Sequence, residues 1–291
     1  MNRVSTVASC CSHRTDTYLL RLLEDDCPQL DLTTIGLGIE KAEGVVTAAF
    51  KRKGIVAGAM LAKRLFELSG ASVSVYAEDG ASLAAGEPIL RAEGSAAALH
   101  AVYKTAQCVM EYACGIALRT REMLDAARAV SPGVQIALTR KHAPGTKPIA
   151  YAGLRAGGGI VHRFGLSDSI LVFDQHRVFC EDFDRSLKRL QAESPERKVA
   201  VEAGGPEEAL GFVRLGVDIV QCERFSPEAL AAFCSKARRI NPRLVINAAG
   251  GIHAGNAAQY AAAGADVLVT SWPYFAAPFD VKMRFSATRL A

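Results

Sequence analysis

Long apolar runs are missing from this 291-residue chain. Nowhere do about 18 uninterrupted apolar residues occur, so no membrane span is expected. The first residues include Arg3, His13, Arg14 and Asp16 and lack the apolar core of a secretory signal. A cytoplasmic location is expected. No Cys-x-x-Cys pair offers zinc spacing among the eight cysteines. Cys10 and Cys11 are adjacent, and Cys108, Cys180, Cys222 and Cys234 fall inside or at the ends of expected helices and strands. They read as free thiols of a reducing compartment. The six histidines are scattered, so no transition-metal centre is expected. A large charge imbalance is also absent. A net charge of +4 does not describe a nucleic-acid binder.

What is present is an ordinary globular composition, 50% hydrophobic and 22% charged, long enough to bury a large core. In the first third, Thr15 to Glu24 reads as a short helix with Tyr18, Leu19, Leu22 and Leu23 on one stripe. Asp31-Leu32-Thr33-Thr34 reads as a turn or cap. Strands are expected at Gly44 to Phe50, Ile55 to Gly58 and Val73 to Tyr76, with a helix over 59–68. Asp79-Gly80 and Gly86-Glu87-Pro88 mark turns. From Ser95 the apolar residues Leu99, Val102, Ala106, Val109, Met110 and Ala113 recur at helical spacing. Gly115 is read as a break, after which Leu118 to Val130 resumes the helix.

The remainder alternates strand with helix. Strands are expected at Val134 to Leu138, Ile170 to Phe173, Lys198 to Val201, Asp218 to Gln221, Arg243 to Ile246 and Asp266 to Val269. Such alternation implies a parallel sheet, either a barrel or an open doubly wound sheet. Each strand ends in a usable group. In order these are Thr139, Arg140 and Lys141; Asp174 and His176; Glu202; Glu223 and Arg224; Asn247, Ala249, Gly250 and Gly251; Thr270 and Ser271. A barrel gathers strand ends at one mouth. Cations beside carboxylates there suit a phosphorylated substrate held partly through Mg2+. Gly250-Gly251 between strand and helix lets backbone N–H groups approach a phosphate, although taken alone the pair is more often just a tight turn.

The densest signal is Thr139-Arg140-Lys141-His142-Ala143-Pro144-Gly145, followed after a short helical stretch by Gly157-Gly158-Gly159-Ile160-Val161-His162-Arg163. Taken alone, two basic pairs at strand and helix ends fit either an anion site or a solvated basic loop. Thr-Arg-Lys-x-x-Pro-Gly and Gly-Gly-Gly-x-x-His-Arg-x-Gly-Leu-x-Asp resemble the signature of quinolinate phosphoribosyltransferases, the nicotinate-nucleotide pyrophosphorylases. The likeness runs from Asp31-Leu32-Thr33-Thr34 to Ala265-Asp266 and is greatest to the ModD proteins associated with molybdenum transport.

That resemblance implies an incomplete parallel α/β barrel, TIM-like, beside a smaller N-terminal α/β sandwich. The sandwich is expected over residues 1–113, completed by the tail 272–291, and the barrel over 114–271. It implies an enzyme using 5-phosphoribosyl 1-pyrophosphate and Mg2+, active as a homodimer or dimer-based oligomer with shared sites. Arg140, Lys141, Glu202 and Glu223 take the catalytic positions, with Glu202 and Glu223 serving the metal or the ribose. Lys104, Thr139, His162, Arg163, Phe173, Asn247, Ala249, Gly250, Gly251, Thr270 and Ser271 take substrate positions. Gly250 and Gly251 match glycines that hold the 5-phosphate.

Several residues depart from the family's pattern. Glu223 stands for an aspartate. Lys104 stands for an arginine that reaches the neighbouring subunit's site, and it loses the bidentate fork. Phe173 replaces an active-site lysine, Asn247 a glutamate and Ala249 a serine. The diphosphate machinery is kept and the acceptor pocket altered. The leading expectation is therefore ModD-type phosphoribosyl transfer to an acidic or aromatic acceptor. The alternatives are authentic quinolinate phosphoribosyltransferase activity and a non-catalytic oxyanion-binding protein.

Overall fold

The computed structural model describes the backbone of residues 8–288 and side chains from residue 14. Among these, residues 8–118, 144–157 and 276–288 form one compact unit, and residues 119–143 and 158–275 form another.

In the first unit the chain runs through α1 (Ala8–Asp26), α2 (Leu32–Gly36), β1 (Glu43–Phe50), β2 (Gly54–Ile55), α3 (Ala59–Leu68), β3 (Ser72–Val75), β4 (Ser82–Leu83) and β5 (Pro88–Ser95). Asp31 caps α2, its Oδ1 accepting from the Thr33 and Thr34 N–H groups. Helix α4 (Ala96–Arg128) follows without interruption for 33 residues, so the break expected at Gly115 is absent. Glycine is there for a close approach: a Cβ on Gly115 would run into the Ala277 carbonyl oxygen. Helix α1 also starts before Thr15, at Ala8.

The chain continues through β6 (Gln135–Leu138), α5 (Lys147–Ala156), β7 (Ile160–Val161), β8 (Ile170–Val172), α6 (Asp174–Arg177), α7 (Phe183–Glu193), β9 (Val199–Ala203), α8 (Pro206–Arg214), β10 (Ile219–Glu223), α9 (Pro227–Ile240), β11 (Val245–Ala249), α10 (Ala254–Ala262), β12 (Val267–Thr270), a 3-10 turn at Trp272–Phe275 and β13 (Val281–Ala287). Strand β13 pairs antiparallel with β1, giving the first unit a four-stranded sheet in the order β13-β1-β5-β3. Phe50, Phe66, Leu65, Leu90, Leu99 and Met110 are fully buried within it.

The second unit holds a seven-stranded sheet, β7-β6-β12-β11-β10-β9-β8. Every pairing in it is parallel. The last strand, β12, returns to pair with the first, β6, so the order is cyclic and broken only between β7 and β8. That is a barrel with one open seam, not the reversed order of a doubly wound sheet. Helices start with local signals. Pro206 opens α8, and Pro227 opens α9, where the Ser226 hydroxyl accepts from the Ala229 N–H. The outward faces of the strands are apolar, with Cys222, Ala203 and Ala248 buried.

Of the cysteines with described side chains, Cys27, Cys108, Cys114, Cys180, Cys222 and Cys234 are free thiols. Cys10, Cys11, Arg3 and His13 lie outside the described side chains.

Candidate active site

At the C-terminal ends of the barrel strands lies a cavity of about 680 Å3. Its lining includes Thr139, Arg140, Lys141, His162, Arg163, Phe173, Glu202, Glu223, Ala249, Gly250, Gly251, Thr270 and Ser271. These residues come from seven parallel strands and the loops behind them, which is why positions from Thr139 to Phe275 converge there.

The cations come first. Arg140 and Lys141 leave β6 exposed, with the Lys141 N–H donating to the Thr139 hydroxyl at 3.1 Å. Behind β7, the His162 N–H donates to the Leu138 carbonyl at 3.2 Å, tying this edge strand to β6. Arg163 is only 6% exposed, with its guanidinium carbon 5.4 Å from the centre of the Phe173 ring. Among the described residues, none of Arg140, Lys141 and Arg163 forms an ion pair. Burial, and then the Arg140 charge, lowers the Arg163 pKa. Burial, and then the Arg163 charge, lowers that of His162 to about 4. His162 is thus neutral at pH 7 and offers one donor and one acceptor.

The carboxylates stand opposite. Glu202 pairs in register with Gln221 on the next strand, and Glu223 lies two residues beyond Gln221 on the same face. The Gln221 Nε2 donates to Glu202 Oε2 at 2.7 Å. Burial chiefly raises the Glu202 pKa, with the Glu223 and Asp174 charges adding to it, while the Gln221 bond and Lys141 oppose it. Glu223 Oε1 is 3.6 Å from Arg224 Nε. Arg224 has φ 57°, the one positive value outside glycine among the described residues. Its N–H donates to the Ala249 carbonyl at 2.8 Å, so the β10 end is locked to β11 in a strained conformation.

The small residues after β11 are required by space and by φ. Gly250 and Gly251 have φ 90° and 75°. A Cβ on Gly250 would lie 2.5 Å from Arg224 Cγ and 2.8 Å from Glu223 Oε1. The glycines open onto α10, where His253 is the N-cap. The adjacent hydroxyls are engaged. Thr139 Oγ1 and Ser271 Oγ are 2.6 Å apart, and buried Thr270 donates to the Ile252 carbonyl at 2.7 Å.

Five residues singled out in the sequence do not line this cavity: Asp174, His176, Arg224, Asn247 and Lys104. Asn247 lies beneath this mouth, 4% exposed, and lines a second cavity of about 300 Å3 together with His162 and Arg197. Lys104 is exposed on α4 and donates to Gln107 Oε1 at 3.0 Å. Conversely, Gln175, Gln221, His253, Trp272 and Phe275 line the mouth and were not foreseen. Gln221 had a signal, a polar residue at the inward phase of an apolar strand. Trp272 and Phe275 belong to a 3-10 turn that no periodicity announces.

Among the described residues these cations form no ion pair within 4 Å, two carboxylates share their cavity, and two positive-φ glycines lead into α10. Fold and cavity together are those of an α/β barrel whose mouth is suited to an anionic small molecule.

The chain belongs to the quinolinate phosphoribosyl transferase family. Residues 31–114 match the family's N-terminal domain and residues 116–284 its C-terminal domain. The chain is 40% identical over 247 residues to the ModD protein of Rhodobacter capsulatus, covering 84% of this chain and 94% of that one. Identity to ModD of Pasteurella multocida is 35% over 271 residues, covering 92% and 96%. With the nicotinate-nucleotide pyrophosphorylase (carboxylating) of Rattus norvegicus it is 28% over 265 residues, covering 90% and 88%. The crystal structure of NadC from Streptococcus pyogenes superposes with a TM-score of 0.86 at 24% identity, covering 95% and 98% of the two chains, and so shares the fold. The protein is a phosphoribosyltransferase-type enzyme. Among the described residues, no helix is long and apolar enough to cross a membrane.

Proposed function

We propose that this enzyme transfers the phosphoribosyl group of 5-phosphoribosyl 1-pyrophosphate to an acidic or aromatic acceptor, releasing pyrophosphate. The observation that carries this is the set of unpaired cations, Arg140, Lys141 and Arg163, facing Glu202 and Glu223 across one cavity. In the reaction the bond between the anomeric carbon and the pyrophosphate oxygen breaks. A bond from the acceptor's nucleophilic atom to that carbon forms. Negative charge accumulates on the departing pyrophosphate, and Arg140 and Lys141 are exposed where they can meet it. Gly250 and Gly251 leave room for the 5-phosphate at the start of α10. Buried Arg163 holds the acceptor's carboxylate, with neutral His162 beside it as a hydrogen-bond partner. Holding both reactants in one cavity supplies much of the rate.

Glu202 and Glu223 fit Mg2+. They are two hard oxygen donors on one face of neighbouring strands. Among the described residues no group of three or more His, Cys, Asp or Glu side chains is placed to hold a metal. Mg2+ is commonly bound through one or two carboxylates with substrate oxygens completing its shell. Bound there, it would neutralise charge on the diphosphate.

Phe173, Trp272 and Phe275 give the mouth aromatic faces. Where the family has a second cation, Phe173 stacks against Arg163, which favours an aromatic acid over the diacid quinolinate. The proposal includes the ModD-type link to molybdenum transport and a dimer in which exposed Lys104 completes a partner's site. The test is pyrophosphate release from 5-phosphoribosyl 1-pyrophosphate and Mg2+ across a panel of aromatic and pyridine carboxylic acids. Release dependent on one class of acid supports the reading. Binding of the acids without any release with any of them would favour a non-catalytic oxyanion binder.

A further inference from the structure

Barrel interiors are usually packed with branched apolar side chains. At the floor of the mouth, where Glu202 and Gln221 line the cavity, this barrel departs from that rule. Glu202, Gln221 and Asn247 are register partners on β9, β10 and β11, so all three point to the same face. The layer beneath, Ala200, Ile219 and Val245, is apolar. Gln221 and Asn247 are each 4% exposed.

The Gln221 amide is only half satisfied. Its Nε2 donates to Glu202 Oε2 at 2.7 Å, while its Oε1 is buried without a partner, as is Asn247 Oδ1. A carboxylate accepts only, so the amide nitrogen must face Glu202 and the carbonyl must face away. An isosteric apolar side chain would fill the same space and leave no unpaired carbonyl there. The fold therefore gains little from this amide. Glu202 is its one side-chain partner among the described residues.

We infer that Gln221 is a positioning residue. Its hydrogen bond anchors one Glu202 oxygen and turns the other toward the diphosphate-binding cavity. The bond selects one carboxylate rotamer before substrate arrives, as outer-shell partners do for metal-binding carboxylates. This inference rests on the proposed role of Glu202 toward Mg2+ and 5-phosphoribosyl 1-pyrophosphate.

Gln221→Met tests it, with Gln221→Leu as a second variant of different shape. Thermal unfolding of the ligand-free proteins should give a melting temperature equal to or above that of the unmodified protein. Calorimetric binding of 5-phosphoribosyl 1-pyrophosphate with Mg2+ should weaken about 10- to 100-fold. The Mg2+ concentration needed for half-maximal binding should rise with it. Aromatic acid binding at Arg163 should be unchanged, and a purely structural role would move both ligands together. Unchanged Mg2+ dependence in both folded variants would overturn the inference, as would parallel loss of stability and of both ligands. Failure of the unmodified protein to bind 5-phosphoribosyl 1-pyrophosphate would instead overturn the functional reading on which it depends.

Discussion

Phe173→Lys places a cation where the resemblance to quinolinate phosphoribosyltransferases leads one to expect a lysine. The ring it removes has the Arg163 guanidinium 5.4 Å from its centre. Losing that contact costs about 0.5–2 kcal/mol. Two like charges at that separation repel by about 3 kcal/mol at an effective dielectric of 20. Phe173 is partly exposed, so the new side chain can swing toward water and relieve part of this. The ligand-free variant should then be less stable by about 1–3 kcal/mol. A diacid reverses the sign, because each carboxylate now finds a cation. One charge-assisted hydrogen bond contributes about 1.5–3 kcal/mol, or roughly ten- to a hundredfold in affinity. The assay pairs thermal unfolding, with and without quinolinate, with steady-state pyrophosphate release. Quinolinate should be a poor substrate for the unmodified protein. The variant should gain one to two orders of magnitude in kcat/KM and be stabilised more strongly by quinolinate. Efficient turnover of quinolinate by the unmodified protein would refute the reasoning, and so would a variant whose kcat/KM does not move.

Arg163→Met removes a buried cation without an ion pair, so stability should hold or rise while aromatic acid binding falls by about ten- to a hundredfold, read by calorimetry. His162 takes up its proton with a pKa near 4 when folded, against an ordinary value near 6.5. The unfolded chain therefore binds more protons between those values. Stability contributed by neutral His162 is complete above about pH 6.5 and is lost as pH falls toward 4, by roughly 2 kcal/mol given its partial exposure. Urea unfolding at pH 4.5 and 7 should show this slope, and His162→Gln should flatten it. Gly250→Ala would push into Arg224 and Glu223 and should weaken Mg2+-dependent ligand binding, whereas Gly251→Ala meets no such neighbour and should cost only backbone strain. Mixing Lys104→Ala with Arg140→Ala protein should restore activity if subunits share sites; sedimentation showing a fully active monomer would contradict this.

The sequence exposed most of the barrel because its strands are short apolar runs separated by amphipathic helices. Six of seven strands could be read that way. The seventh, β7, is two residues long after a glycine triplet and has no period to detect. Gly115 misled because a glycine in a helix looks like a stop, whereas its cause is the Ala277 backbone, 162 residues away in sequence. Arg140, Lys141, His162, Arg163, Glu202 and Glu223 do share one cavity. Asn247 shows where linear reading falls short. Its place at a strand end suggested the mouth, but it lines the second cavity, although its register partner Gln221 lines the first. The Glu202–Gln221 bond is a cross-strand relation and could be seen only once strands were paired.

The central claim is that this mouth binds 5-phosphoribosyl 1-pyrophosphate through its unpaired cations and two glutamates. Isothermal calorimetry of the unmodified protein with that ligand, with and without Mg2+, measures it directly. Saturable binding that strengthens with Mg2+ and is lost in Arg140→Ala is the predicted result; no heat at millimolar ligand in the presence of Mg2+ would contradict the account.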